Sequence, residues 1–275
     1  MADGGHFGDL LDVMARLRGP DGCPWDREQT LETLRGYLLE ETYELLEAIE
    51  GGSADRMREE LGDLLLEVVF LAQVCSEKGL FSMDDVVKGV RDKLVRRHPH
   101  VFGERKASSP REAIQRWEDI KKAERAATGE ADTSALAGVP MQLPALLRAH
   151  RLSTKASLAG FDWKEPADLY GKLQEELAEY REAAQTGERG AMTEELGDLL
   201  FITANIGRRA GIDPEQALQA ANRKFTARFR HVEEGLRRKG IAPGSADMEQ
   251  LEALWEEAKS LERAESQPDQ STSSR

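Results

Sequence analysis

The apolar residues of this 275-residue chain recur at helical intervals almost throughout. Leu38, Leu45, Leu46 and Ile49 fall on one face of a 3.6-residue period. Leu61, Leu64, Leu65, Val68 and Val69 repeat the arrangement, as do Leu199, Leu200 and Ile202. Alternating, strand-like runs are scarce. Start signals agree with the period. Ser82 followed three residues on by Asp85 has the pattern of a capping box. Ser109-Pro110 and Asp213-Pro214 each set a capping side chain before a proline suited to the first helical position. The pattern predicts helices near 7–18, 28–50, 54–78, 83–98 and 110–127, and a second set near 142–157, 166–186, 189–210, 214–239 and 246–264. The stretch 128–140 is small, polar and marked by glycine and proline, so it reads as a linker; the Ser/Gln-rich tail 266–275 reads as disordered.

The two sets of helices are copies. Glu60-Leu61-Gly62-Asp63-Leu64-Leu65 recurs as Glu195-Leu196-Gly197-Asp198-Leu199-Leu200, and at the same offset of 135 Glu40, Glu41 and Glu44 fall on Glu175, Glu176 and Glu179. Acidic residues number 51 of 275, so five acidic matches at one offset arise by chance about once in several thousand. Trp25 and Trp117 find Trp163 and Trp255 at 138, with Lys121 and Lys259, which pairs all four tryptophans. Lys93, Arg97 and His100 find Lys224, Arg228 and His231 at 131. The expected architecture is all-α: two tandem helical domains from an internal duplication, 1–127 and 141–265.

Charge narrows the partners. A formal net charge of −13 argues against stable nucleic-acid binding, although a bound cation can reverse the sign locally for a small anionic ligand. Cys23 and Cys75 are too few for a disulfide framework and point to a reducing, cytoplasmic setting. No apolar run approaches the length of a membrane span, and residues 1–8 lack the basic start and apolar stretch of a signal peptide.

The repeated carboxylates carry the chemistry. Glu41 with Glu44 and Glu60 with Asp63 are three apart, so each pair shares a helix face. Glu176 with Glu179 and Glu195 with Asp198 repeat this, and a short connection makes each pair of helices antiparallel neighbours. Glu41 sits between Leu38 and Leu45, and Glu176 between Leu173 and Tyr180, so these charges lie near the apolar stripe. Inward carboxylates repel one another and lose hydration, and a cation relieves both. Oxygen-only donors favour Mg²⁺, Mn²⁺ or Ca²⁺. Gly62 and Gly197, unfavourable inside helices, suggest close approach of another helix or of a ligand.

Lys224, Arg228 and His231 are spaced i, i+4, i+7 along one face, able to neutralise phosphates; Trp255 and Lys259 suit a base and a phosphate. The copies differ. Lys172 lies one turn before Glu176, whereas the first copy has Tyr37, and Pro99 interrupts the helix after His98. The second copy is therefore the more complete site.

Gly22-Cys23-Pro24-Trp25-Asp26, Glu40-Glu41-x-x-Glu44, Glu60-x-x-Asp63 and Arg97-His98-Pro99-His100-Val101-Phe102-Gly103 resemble the MazG family. Glu175-Glu176-x-x-Glu179, Glu195-x-x-Asp198 and Lys224-Phe225-x-x-Arg228-Phe229 resemble its C-terminal domain, and the likeness extends over about residues 7–262. The resemblance implies an all-α nucleoside triphosphate pyrophosphohydrolase. Such an enzyme splits an NTP or dNTP at the α–β linkage to monophosphate and pyrophosphate, uses Mg²⁺, forms a homodimer and serves nucleotide-pool housecleaning. It also implies that Glu176, Glu179, Glu195 and Asp198 hold the ion and that Lys172, Glu175, Lys224, Arg228 and Trp255 meet the nucleotide; in the mechanism these residues suggest, a carboxylate of the cluster such as Glu175 orients or deprotonates the attacking water. The second, less complete site comprises Glu40, Glu41, Glu44, Glu60, Asp63, Lys93, Arg97 and Trp117.

Other classes fit less well. Arg58-Glu59-Glu60-Leu61-Gly62 echoes part of a Nudix box without its upstream spacing or strands. There is no P-loop pattern, and none of the five histidines precedes an aspartate as an HD phosphohydrolase requires. A helical nucleotide sensor that binds without turnover is the alternative from a different class.

Overall fold

The computed structural model describes residues 5–104, 106–128 and 134–265. The expected tail 266–275 and residues 129–133 of the expected linker lie outside them. Among the described residues there are helices and no strand. The chain divides into two compact units, Met1–Ala123 and Glu124–Arg275.

The first unit contains α1 (Gly5–Leu17), α2 (Pro24–Glu28), α3 (Leu31–Gly51), α4 (Ala54–Glu77), α5 (Met83–Arg97) and α6 (Pro99–Phe102), and α7 (Pro110–Thr128) begins in it. The short helices α2 and α6 have no counterpart in the predicted set: each begins on a proline, which fixes φ for a first turn, but neither is long enough to show a period. The central feature is the α3–α4 hairpin. Thr30 opens α3 with a reciprocal capping box, Thr30 Oγ1 accepting from Thr33 N and Thr33 Oγ1 from Thr30 N. Gly52, at φ 70°, closes it in the left-handed conformation that glycine adopts without steric cost, and Ser53 then caps α4. With two residues between them the helices turn back on each other. Their inner side meets α1 in a core of Met14, Leu34, Val69, Phe70 and Val74.

The second unit contains α8 (Ala145–Leu158), α9 (Pro166–Thr186), α10 (Arg189–Ala210), α11 (Pro214–Arg238), a 3-10 turn at Pro243–Ser245, and α12 (Met248–Glu265). The hairpin recurs as α9–α10. Its αL cap, Gly187 at φ 73°, stands 135 residues after Gly52, the offset of the carboxylates. Buried Leu169 and Ala183 likewise stand 135 after buried Leu34 and Ala48. α10 packs on α8 and α11, and α11 on α12 around Val232, Leu236 and Leu254. There Gly235 is needed, since a Cβ would run into the Leu254 side chain. Asp213 caps α11, accepting from Glu215 N and Gln216 N, and the helix runs unbroken for 25 residues where its counterpart α5 stops before Pro99.

Much of the hairpins' outer face is uncovered within one chain. Leu46, Ile49, Leu61, Leu65 and Val68 in the first, and Leu196, Leu200 and Phe201 in the second, are exposed.

Candidate metal centres and nucleotide site

Each hairpin gathers its carboxylates at one place. Oxygens of Glu41, Glu44 and Glu60 lie within 4.8 Å of one another, and so do those of Glu176, Glu179 and Glu195. Two residues of each trio come from the first helix of the hairpin and one from the second, as i, i+3 spacing on antiparallel neighbours requires. Asp63 and Asp198 stand beside these trios, close enough for Asp63 to act on Glu41 and Asp198 on Glu195. Glu40 acts on Glu41 from outside, and Glu175 pairs with Lys172.

The clusters hold unneutralised charge. Desolvation raises the Glu41 carboxyl above the usual carboxylate range, and Glu44, Asp63, Glu60 and Glu40 push it further. Desolvation also raises Glu195, with Glu179, Glu176 and Asp198 adding repulsion. Glu179 is raised by desolvation and by Glu176, against which Lys172 acts. A donor set of carboxylates alone, partly withdrawn from water and mutually repelling, fits a hard divalent cation.

The copies solve the charge problem differently. In the second, Glu176 is buried and Lys172 Nζ lies 2.8 Å from both Glu175 Oε1 and Glu176 Oε1; those contacts, that to Glu175 foremost, keep the lysine firmly protonated. In the first, Glu60 is the buried member, and the cation comes from the opposite helix: Arg56 Nη2 stands 3.6 Å from Glu60 Oε1. Tyr37, in the place of Lys172, packs edge-on against Trp25 at 5.8 Å between ring centroids. Sequence reading missed Arg56, although its i, i+4 spacing to Glu60 was a signal. It also missed Glu67, a buried carboxylate on α4.

A second group forms on α11 and α12. Arg228 lies 5.7 Å above the Trp255 ring and is held by Glu262, its Nε donating at 2.8 Å. Phe225 packs on Trp255 at 5.3 Å and stacks on Phe229. His231 Nε2 is 3.3 Å from Glu257 Oε1, and Lys259 pairs with Glu256. Lys224 is exposed. α11 packs on α10, the helix that bears Glu195 and Asp198. The first unit has a thinner version: Lys121 lies 5.7 Å from the Trp117 ring centroid and His98 is 6.0 Å from it, while Lys93 is exposed and Arg97 half-buried.

The family profile for the MazG nucleotide pyrophosphohydrolase domain matches residues 29–102 and 164–233, the two segments that carry the hairpins. The chain belongs to the MazG family. A nucleoside triphosphate pyrophosphohydrolase/pyrophosphatase MazG of Thermotoga maritima is 46% identical over 253 residues, covering 92% of this chain and 95% of the relative. A nucleoside triphosphate pyrophosphohydrolase of Escherichia coli K12 is 44% identical over 256 residues, covering 92% and 97%. A protein of the same description from Mycolicibacterium smegmatis is 40% identical over 163 residues, 58% of this chain and 48% of the relative. Both carboxylate trios lie inside the matched MazG segments, whereas Trp255 and Glu262 lie beyond them. Among the described residues no helix is long and apolar enough to cross a membrane.

Proposed function

We propose that the chain is a Mg²⁺-dependent nucleoside triphosphate pyrophosphohydrolase that cleaves NTPs and dNTPs at the α–β linkage and serves nucleotide-pool housecleaning. The observation that carries this reading is the α9–α10 cluster: three carboxylates within 4.8 Å, with a lysine already seated against them. Relatives named for this activity support it, matched over nearly their whole length. Glu176, Glu179, Glu195 and Asp198 would hold the ion. When bound, Mg²⁺ polarises phosphate oxygens and offsets their charge.

The remaining work falls to the chain's own side chains. Lys172 turns from Glu175 and Glu176 toward the incoming phosphates. Glu175, so freed, orients a water on the α-phosphorus and takes its proton. The water oxygen bonds to phosphorus as the bridging P–O bond breaks, and pyrophosphate departs. Lys224 and Arg228 meet the charge on that leaving group. Trp255, with Phe225 against it, offers a flat face to the base. The first hairpin is a second, less complete site. The domains are read as 1–127 and 141–265, and the exposed leucines of the hairpins supply the face for a homodimer. Two free cysteines suit a cytoplasmic setting.

The test is product analysis in ¹⁸O-labelled water with each common NTP and dNTP, with and without Mg²⁺. Labelled monophosphate and pyrophosphate, formed only with metal, are expected. Diphosphate and orthophosphate would overturn the bond assignment, and tight nucleotide binding without product would favour a sensor.

A further inference from the structure

The first hairpin holds a carboxylate that the duplication does not repeat. Glu67 lies on α4, seven residues after Glu60 and four after Asp63, and is 8% exposed. Its Oε2 is buried without a hydrogen-bond partner. The residue 135 positions on is Ile202, 4% exposed. Packing at this place in the repeat therefore accepts a hydrocarbon side chain and does not itself call for a carboxylate. A buried acceptor left unpaired is unfavourable and signals a missing partner.

The surroundings of Glu67 narrow what that partner is. Glu41, across the hairpin on α3, is the charge that acts on it. Seven residues span about 10 Å along a helix axis, so Glu67 and Glu60 do not touch the same ion directly. A buried carboxylate one turn beyond Asp63, near enough to Glu41 to feel its charge, is instead placed for the hydration shell of an ion bound at the trio. Mg²⁺ keeps several of its waters, and carboxylates beyond the direct ligands fix such waters.

We propose that Glu67 is an additional carboxylate of the first cation site, its free oxygen accepting hydrogen bonds from the hydration shell of an ion held by Glu41, Glu44 and Glu60. This rests on the reading that the first cluster holds a divalent cation. It makes the first site the more acidic at its inner end, where the second is closed by hydrocarbon.

The experiment uses the full chain carrying Glu176→Gln and Glu179→Gln, so that the first cluster alone reports, and titrates it with Mn²⁺ without nucleotide, free ion being followed by electron paramagnetic resonance. Glu67→Gln, Glu67→Ile and Glu41→Gln are added singly. We expect Glu41→Gln to remove binding and both Glu67 variants to weaken it about 10- to 100-fold. Their metal-free melting temperatures should equal or exceed that of the parent, because an unpaired buried charge is lost. Unchanged Mn²⁺ affinity in the Glu67 variants, with binding lost in Glu41→Gln, overturns the role of Glu67 and leaves the cation reading intact. Absence of binding in the parent, or its persistence in Glu41→Gln, overturns the cation reading and this inference with it. A lower metal-free melting temperature in both Glu67 variants would make the residue a packing element and also overturn the inference.

Discussion

Lys172 Nζ stands 2.8 Å from Glu176 Oε1, one turn further along α9, so the buried carboxylate of the second cluster has a cation against it before any ligand arrives. The lysine is only partly exposed and makes the same distance to Glu175. A cation held this way is poised to exchange carboxylates for phosphate oxygens at little cost in ordering. Lys172→Met should therefore lower kcat/KM for nucleoside triphosphates about 100-fold, within the range for loss of one charged donor to a developing anion. Steady-state kinetics would show it. Unchanged kcat/KM would reduce Lys172 to a partner of Glu175 and Glu176 in the resting protein.

The clusters also set a pH dependence. Glu41, Glu179 and Glu195 have folded-state pKa values above their ordinary 4.5. For a raised carboxylate the sign is fixed: its contribution to stability is full below 4.5 and is lost as pH rises through the folded value. Metal-free protein is thus under electrostatic strain at neutral pH that a divalent cation relieves. The Mg²⁺-induced rise in melting temperature should be larger near about pH 8 than near about pH 5, where protons compete for the same oxygens. Calorimetry at the two pH values checks this, and an equal shift at both would mean that the ion binds elsewhere.

Local chemistry made most of this legible in sequence. The hairpins were readable because their acidic pairs act within one helical turn and duplication printed them twice, and α5 and α11 because Ser82 and Asp213 cap them locally. Spacing and a short turn led to an expectation of four carboxylates at one point, whereas the structure gathers three in each hairpin with Asp63 and Asp198 beside them. Arg56 escaped because the place matched to Lys172 holds Tyr37 in the first copy, which draws its cation from the other helix of the hairpin. Glu67 escaped because an acidic residue in an acidic helix carries no mark of its burial; only the packing of α4 against α1 and α3 withdraws it from water. The Asp162–Arg208 pair joins residues 46 apart, with no periodic signature.

At Gly197 the structure removes one of the two expected reasons for a glycine, a neighbouring helix of the same chain. The repeated glycines suggested close approach of a helix or ligand, yet a Cβ at Gly62 or Gly197 would meet no atom within 4 Å. Packing inside the chain does not explain them, which leaves a ligand or a second copy. Gly197→Ala should then stabilise the isolated chain by up to about 1 kcal/mol through helix propensity. Turnover should fall, because the added methyl stands beside Glu195 and Asp198. Denaturant unfolding and activity measured on one preparation separate the two effects. A stabilised variant with full activity would show that the glycine serves neither ligand nor partner.

Asp162 and Arg208 tie the entry of α9 to the end of α10. Arg208 Nη2 donates to Asp162 Oδ1 at 2.5 Å and Nη1 to Oδ2 at 3.2 Å, while Ser157 Oγ and Trp163 N donate to the same carboxylate. Arg208 Nε also donates to Asn205, which is fully buried. Burial pushes the Asp162 carboxyl up, but the hydrogen bonds from Arg208 and Ser157 outweigh it and hold it below 3.8. Its contribution is therefore present above 3.8 and is lost as pH falls. The side chains are only 11% and 20% exposed, so breaking the pair strands a charge in a poorly hydrated place. Asp162→Ala should cost about 2–4 kcal/mol, somewhat less than a fully buried pair because some solvent remains. Adding Arg208→Met should recover part of that loss, since the stranded guanidinium is then gone. Urea unfolding of the two single variants and the double variant closes the cycle. A double variant no more stable than Asp162→Ala would place the loss in the Ser157 and Trp163 hydrogen bonds that hold the start of α9.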